Sequence, residues 1–245
     1  MQFEGMDIER VMVIYAHPDD AEFGCSGTVA TWAKQGVEIT YVLVTNGASG
    51  SSDPEMTREK LAAMRSKEQR DAAEILGVKT VVELGFEDGY LYPDLDLRKA
   101  VAREIRKGKP QLIISQDPTS RWWHPSYINH PDHIATGEVV LRSINPDASS
   151  GLMFPELWRE ENLEPHKPNL LLLFTFTEPD VFVDISDVMD LKVKSLEAHV
   201  SQVSAFPVAE FIRERSKEIA KAAKEKGKGD FEYGECYRLF RLEEF

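Results

Sequence analysis

Four short apolar runs, VMVIY (11–15), EITYVLVT (38–45), VKTVVEL (78–84) and QLIIS (111–115), are separated by stretches with helical spacing. A continuous apolar run of this length, bounded by turn residues, suits a strand covered on both faces. Strand and helix in regular alternation predict an α/β fold, a Rossmann-like three-layer sandwich around a mostly parallel sheet. The first helix is expected over 24–36, with Gly36 in the C′ position. The second spans 57–76, with Leu61, Met64, Ala72, Ile75 and Leu76 on one side and Gly77 at its stop. Asp94 caps a third helix running to about 107, and a fourth runs from 131 to about 144. Between them, 116–133 reads as a long aromatic and polar loop. NLLLLFTF and DVFVDI are further strands, 186–225 is helical in two pieces broken near Pro207, and GECYRLFRL is a last strand. There is no internal repeat, and residues 1–245 read as a single domain.

Hydrophobic residues make up 42% of the 245 positions and charged residues 29%, enough apolar material for one sizeable core. The formal net charge of −13 argues against a nucleic-acid backbone or an anionic membrane surface as the main partner. Two cysteines, Cys25 and Cys236, make neither a disulfide framework nor a thiolate zinc cluster. The first residues lack a basic stretch leading into an apolar one, and no run approaches the ~20 apolar residues of a membrane helix. The expectation is a cytoplasmic protein acting on a small molecule, with no membrane anchor and no nucleic acid.

The first strand ends in AHPDD. Adjacent carboxylates repel, and taking them out of water is costly unless a cation compensates. In open α/β sheets ligands gather outside the carboxyl ends of the strands, where His17, Asp19 and Asp20 would lie. A second segment, HPDH (130–133), opens the helix after the fourth strand and so belongs to the same rim. Proline favours the first turn, and residues three apart share a face there. Imidazole and carboxylate without thiolate suit Zn²⁺ or Fe²⁺ better than Ca²⁺ or Mg²⁺. The most economical ligand set is His17, Asp20 and His133. It leaves Asp19 as a general base and His130 to stabilise an oxyanion or protonate a leaving group. Glu22 reads as an orienting group in the first turn. Two histidines and a carboxylate also describe a non-haem iron oxygenase, and a non-catalytic sugar-binding protein is a third reading. Gly24 and Gly27 do not make a dinucleotide site, because two aspartates stand where a pyrophosphate would sit.

AHPDDAEFGCSGT together with HPDH resembles the PIG-L (LmbE-like) zinc-dependent de-N-acetylases. TNGASG, RSKEQRDAAEILGV, EDGYL and KVKSLEAHVSQ extend the likeness from about residue 11 to 202. The resemblance implies one Zn²⁺ per chain on His17, Asp20 and His133, with Asp19 as general base and His130 at the oxyanion. It implies further that Arg65 and Asp88 contact a sugar, and that Asp132 supports a ligand histidine. The substrate would be an N-acetylglucosamine-type sugar or conjugate, hydrolysed to acetate and a free amine, which sugar being open. Relatives are often trimers or hexamers, which implies a homo-oligomer. The stretch 118–129 is longer and more aromatic than in small members. Trp122, Trp123 and His124 are expected to form either a sugar-stacking wall or a subunit contact. Tyr127 lies near where some members carry a carbonyl-polarising tyrosine. His199 either approaches the site or packs on the sheet, and His166 reads as loop surface.

Overall fold

The computed structural model describes residues 1–124, 126–175 and 177–242, the side chains of Trp123 and His124 excepted. Two short strands, β1 (Gln2–Phe3) and β2 (Met6–Asp7), precede the first long one, β3 (Arg10–Tyr15), and helices α1 (Asp20–Gly24) and α2 (Ser26–Lys34). Strand β4 (Glu38–Thr45), helix α3 (Arg58–Leu76), strand β5 (Thr80–Phe86), helix α4 (Leu95–Gly108) and strand β6 (Leu112–Gln116) continue the alternation. A small hairpin, β7 (Trp122–His124) and β8 (Tyr127–Ile128), leads into α5 (Pro131–Arg142), and a short α6 (Pro155–Arg159) follows. Strands β9 (Leu170–Phe174) and β10 (Val181–Asp184) precede helices α7 (Met189–Glu197), α8 (Val200–Val203) and α9 (Val208–Glu225), and β11 (Gly234–Arg241) comes last.

The main sheet has the order β10-β11-β9-β6-β3-β4-β5. Strands β5, β4, β3, β6 and β9 pair in parallel, whereas β11 runs antiparallel between β9 and β10. The chain moves outward from β3 to β4 and β5, then returns to lay β6 on the other side of β3. That reversal creates a switch point at the ends of β3 and β6, the place where such sheets bind ligands.

Side chains of β3 alternate between the two faces, as strand geometry requires. Val11, Val13 and Tyr15 pack with Trp32, Leu76, Val193 and Ile212, from the helices on one face. Met12 and Ile14 pack with Leu97, Val101, Ile105 and Val139 of α4 and α5 on the other. Every strand expected from the sequence is present, and the sheet is mostly parallel as expected.

Four local expectations are corrected. The segment 24–36 is not one helix: the chain breaks at Cys25, between α1 and α2. The break is held by a buried ion pair from distant parts of the chain. Lys192 Nζ donates to the Glu22 and Phe23 carbonyls at 2.8 and 3.1 Å and to Glu235 at 2.7 Å. Glu235 in turn accepts the backbone N–H groups of Gly27 and Thr28 at 2.9 and 2.7 Å. A cation thus closes the C-terminal end of α1 and an anion the N-terminal end of α2, as helix dipoles favour. In α3 the buried stripe contains Leu61, Arg65, Gln69, Ala72 and Leu76, while Met64 is 37% exposed. The 186–225 region holds three helices after a 3₁₀ turn rather than two pieces. His166 is half-buried, in contact with the Pro110 carbonyl at 2.7 Å, rather than on the loop surface.

Gly137 lets α5 lie directly on the end of β6. A Cβ there would fall 2.6 Å from the Gln116 carbonyl oxygen and 2.8 Å from the Pro118 nitrogen, both backbone atoms. Gly137→Ala is therefore expected to destabilise by about 1–3 kcal/mol or more, read as a lower denaturant midpoint at unchanged m-value.

Candidate metal centre

The loop after β3 folds back around Asp20. The His17 N–H donates to Asp20 Oδ2 at 2.7 Å and the Asp20 N–H to the His17 carbonyl at 3.2 Å. Gln116 Nε2, at the end of β6, donates to the same carboxylate at 3.1 Å. Between them Asp19 sits in the left-handed region, φ +96°. That conformation is uncommon outside glycine and costs about 1–3 kcal/mol, so the surroundings must hold it. Gln69 Oε1 accepts its N–H at 3.2 Å. Arg65 donates to the Pro18 carbonyl at 2.5 Å, to the Gly47 carbonyl at 3.0 Å and to Asp19 Oδ2 at 3.4 Å.

From the other segment, His130 forms the N-cap of α5, with Pro131 in the first turn as expected. The Asp132 N–H donates to His130 Nδ1 at 3.2 Å, so the proton of a neutral ring resides on Nε2. Burial, with the nearby His17, holds the His130 pKa below its ordinary value and favours this neutral form. His133, one turn on, has Nδ1 3.0 Å from Asn129 Oδ1.

Ligand atoms of three residues then converge. His17 Nδ1 is 3.2 Å from His133 Nε2 and 3.4 Å from Asp20 Oδ2, and His133 Nε2 is 3.1 Å from Asp20 Oδ1. Tetrahedral zinc bonds of ~2.0–2.1 Å place neighbouring ligand atoms about 3.3 Å apart, so the triangle fits such an ion. The far nitrogen of His17 meets Asp88 Oδ1 at 3.2 Å and Asp132 Oδ2 at 3.3 Å. Carboxylate behind imidazole fixes the ring and strengthens it as a ligand. A second group, His17, His130 and Asp132, also lies close enough to share a cation. Asp132, however, is fully buried and its oxygens accept the Gly89 and Leu91 N–H groups at 2.7 and 3.3 Å.

The electrostatics favour positive charge at this point. Burial alone would lower the His17 pKa, but hydrogen bonds to Asp132, Asp20 and Asp88 outweigh it and push it up to about 11. Burial would raise Asp20, yet His133 and His17 keep it well below the usual carboxylate range. Burial likewise works against Asp88, but His17 and the Ser49 N–H draw it down to about 2. A divalent ion would satisfy the carboxylates that otherwise hold a proton on His17. Asp19 differs: burial pushes its carboxyl up to about 6 against the pull of Arg65.

Arg65 and Asp88 are both buried, and each has protein partners at the site: backbone carbonyls and Asp19 for Arg65, His17 and the Ser49 N–H for Asp88. His199 is fully buried, its Nε2 3.2 Å from Glu22, and Glu22 also accepts from Gln69 at 3.1 Å. This chain leads to the Asp19 backbone. Gln69, Gln116 and Asn129 were not legible as site residues. Only the register of Gln69, four residues after Arg65 on the buried face of α3, hints at its place. Trp122 is 70% exposed, and the side chains of Trp123 and His124 lie outside the described residues.

Comparison with known proteins gives this geometry its setting. The family described as PIG-L, GlcNAc-PI de-N-acetylase, matches residues 12–144. The chain is 35% identical to a diacetylchitobiose deacetylase of Thermococcus kodakarensis over 199 residues, covering 80% of this chain and 71% of that protein. The chain belongs to the PIG-L family. Another PIG-L relative is the Bacillus anthracis protein described as "Probable N-acetyl-alpha-D-glucosaminyl L-malate deacetylase 2". It is 30% identical over 210 residues, covering 84% of this chain and 86% of that one. The solved N,N′-diacetylchitobiose deacetylase from Pyrococcus horikoshii superposes with a TM-score of 0.84 at 30% identity, over 96% of this chain and 85% of that one. The PIG-L match runs from β3 through α5 and so contains both His-Pro-Asp segments, whereas β9, α9 and β11 lie beyond it.

Proposed function

We propose that the chain is a zinc-dependent hydrolase that removes the acetyl group from an N-acetylglucosamine-type sugar or its conjugate. The observation that carries this reading is the ligand triangle of His17, Asp20 and His133, with a strained, half-buried Asp19 beside it. When bound, zinc would acidify a water toward pKa ~7 and polarise the acetyl carbonyl.

The chain's own groups do the rest. Asp19 takes the proton of the attacking water while hydroxide adds to the carbonyl carbon. His130 offers its Nε2–H to the oxygen that gains negative charge. As the C–N bond breaks, the proton held by Asp19 passes to the departing amine, leaving acetate and a free amino sugar. Arg65 binds the Pro18 carbonyl and Asp19 together, so its part is to position the base. A spare carboxylate beside the ion has a task in hydrolysis and none in oxygen activation, which favours the hydrolase over an iron oxygenase. Among the described residues no helix is long and apolar enough to cross a membrane.

The test is a screen of N-acetylated amino sugars with zinc-loaded protein, scored by acetate; release from none of them would overturn the reading. Its pH profile carries a second check. The base must be ionised, so kcat/KM rises with pH through the Asp19 pKa and then levels. Burial places that pKa at about 6, and a nearby cation can only lower it. The acid limb is therefore expected at or below about pH 6; a limb centred above 7 would remove Asp19 from the role.

A further inference from the structure

A cavity of about 290 Å³ opens beside Asp20 and His133. An acetyl group fills little of it; the size is near the lower end of sites that hold whole small molecules. Its walls are aromatic: Phe23 from α1, Phe174 from the end of β9, Tyr127 from β8 and Phe211 from α9. The wall is firm where Gly24 lacks a side chain, since a Cβ there would fall 3.1 Å from the Phe174 ring. One turn after Phe211 stands Arg215, the single lysine or arginine among the described lining residues. Its guanidinium carbon lies 6.0 Å from the Phe211 ring centroid, at the outer edge of cation–π range.

We infer that this cavity seats the group joined to the amino sugar, and that this group carries an anion bound by Arg215. The inference rests on the deacetylase reading. The related deacetylases share an acetylated amino sugar and differ in what is attached to it: a second sugar in diacetylchitobiose, malate in the Bacillus protein. A chamber larger than the acetyl group therefore suits the part that varies. Phe174, Phe211 and Arg215 all lie outside the residues that match the family.

Charge supports the same assignment. The two carboxylates of the lining have partners of their own. Asp117 Oδ1 accepts the Thr119 N–H and hydroxyl at 2.8 and 2.6 Å, and Asp20 belongs to the metal triangle. Gln116, Ser120 and Asn129 are neutral. Burial lowers the Arg215 pKa, the mark of a guanidinium partly stripped of water, where an anion gains most from pairing. A recessed cation in a chain of net charge −13 selects an anion at the site, because the overall field does not draw anions in.

The experiment compares acetate release from four N-acetylglucosamine derivatives by the zinc-loaded protein. Two are neutral, the methyl glycoside and N,N′-diacetylchitobiose; two are acidic, the glycoside of a 2-hydroxydicarboxylic acid and the 1-phosphate. The acidic compounds should exceed the neutral ones in kcat/KM by on the order of 10- to 100-fold, the yield of a charge-assisted hydrogen bond. In Arg215→Gln the ratio of acidic to neutral should collapse toward one, mainly through KM, and Arg215→Lys should restore part of it. Zinc content and melting temperature establish that each variant is folded. Which acidic compound leads identifies the anion as carboxylate or phosphate. Equal use of all four, or an Arg215→Gln loss that is uniform across them, would overturn the inference and leave the deacetylase intact. Release from none would remove the deacetylase reading and this inference with it.

Discussion

His133→Ala should yield a folded protein that retains no stoichiometric zinc and releases no measurable acetate. His133 supplies one corner of a triangle whose edges are 3.1–3.4 Å, and the remaining pair, His17 and Asp20, leaves the ion with two protein ligands. Replacing a group behind a ligand typically costs roughly 10- to 100-fold in metal affinity or activity, and loss of the ligand itself should exceed that. The helix has no stake in this side chain. Its N-cap is His130, and α5 packs through Val139 and Val140, so circular dichroism should be unchanged. Asp132→Asn is the graded comparison, since it weakens support for His17 while keeping all three ligands. Metal content measured after gel filtration decides the matter: full zinc occupancy in His133→Ala would eliminate the assigned site.

Asp19→Asn should lower kcat by about 10²–10⁴-fold with zinc still bound, the range for loss of one general base. Asparagine is the informative substitution because it tolerates the left-handed backbone that residue 19 adopts, whereas alanine adds strain of roughly 1–2 kcal/mol. The amide also keeps an oxygen near Arg65, which is buried against Pro18 and Gly47. Metal analysis separates this variant from His133→Ala: one keeps the ion and loses rate, the other loses both. A decrease of less than tenfold would mean that another group handles the proton.

The strands were legible because each is a continuous apolar run, and both faces of the sheet are covered. The two His-Pro-Asp segments were legible because their chemistry has no comfortable place in a plain turn. Other features were hidden for identifiable reasons. Arg65 and Gln69 occupy the buried face of α3, where periodicity looks for apolar residues, so Met64 was assigned inward and is not. The break at Cys25 leaves no local trace, since Lys192 and Glu235 stabilise it from far along the chain. Asn129 and Gln116 act through single hydrogen bonds to His133 and Asp20, which no spacing rule encodes. Arg215 reads as one more charge on an amphipathic helix until the turns of α9 bring it onto the wall of the cavity that Phe174, Asp20 and His133 also line.

The Lys192–Glu235 pair also bears on how the molecule comes into being. Gly27 and its partner Glu235 are separated by 208 positions along the chain. Ribosomal synthesis delivers the His-Pro-Asp-Asp loop early, but the N-terminal end of α2, directly behind the helix carrying Asp20, has no carboxylate cap until the final strand has slotted between β9 and β10. A half-made chain would therefore present a less firmly held loop rather than a finished cradle, and on the zinc reading ion capture would come late in maturation.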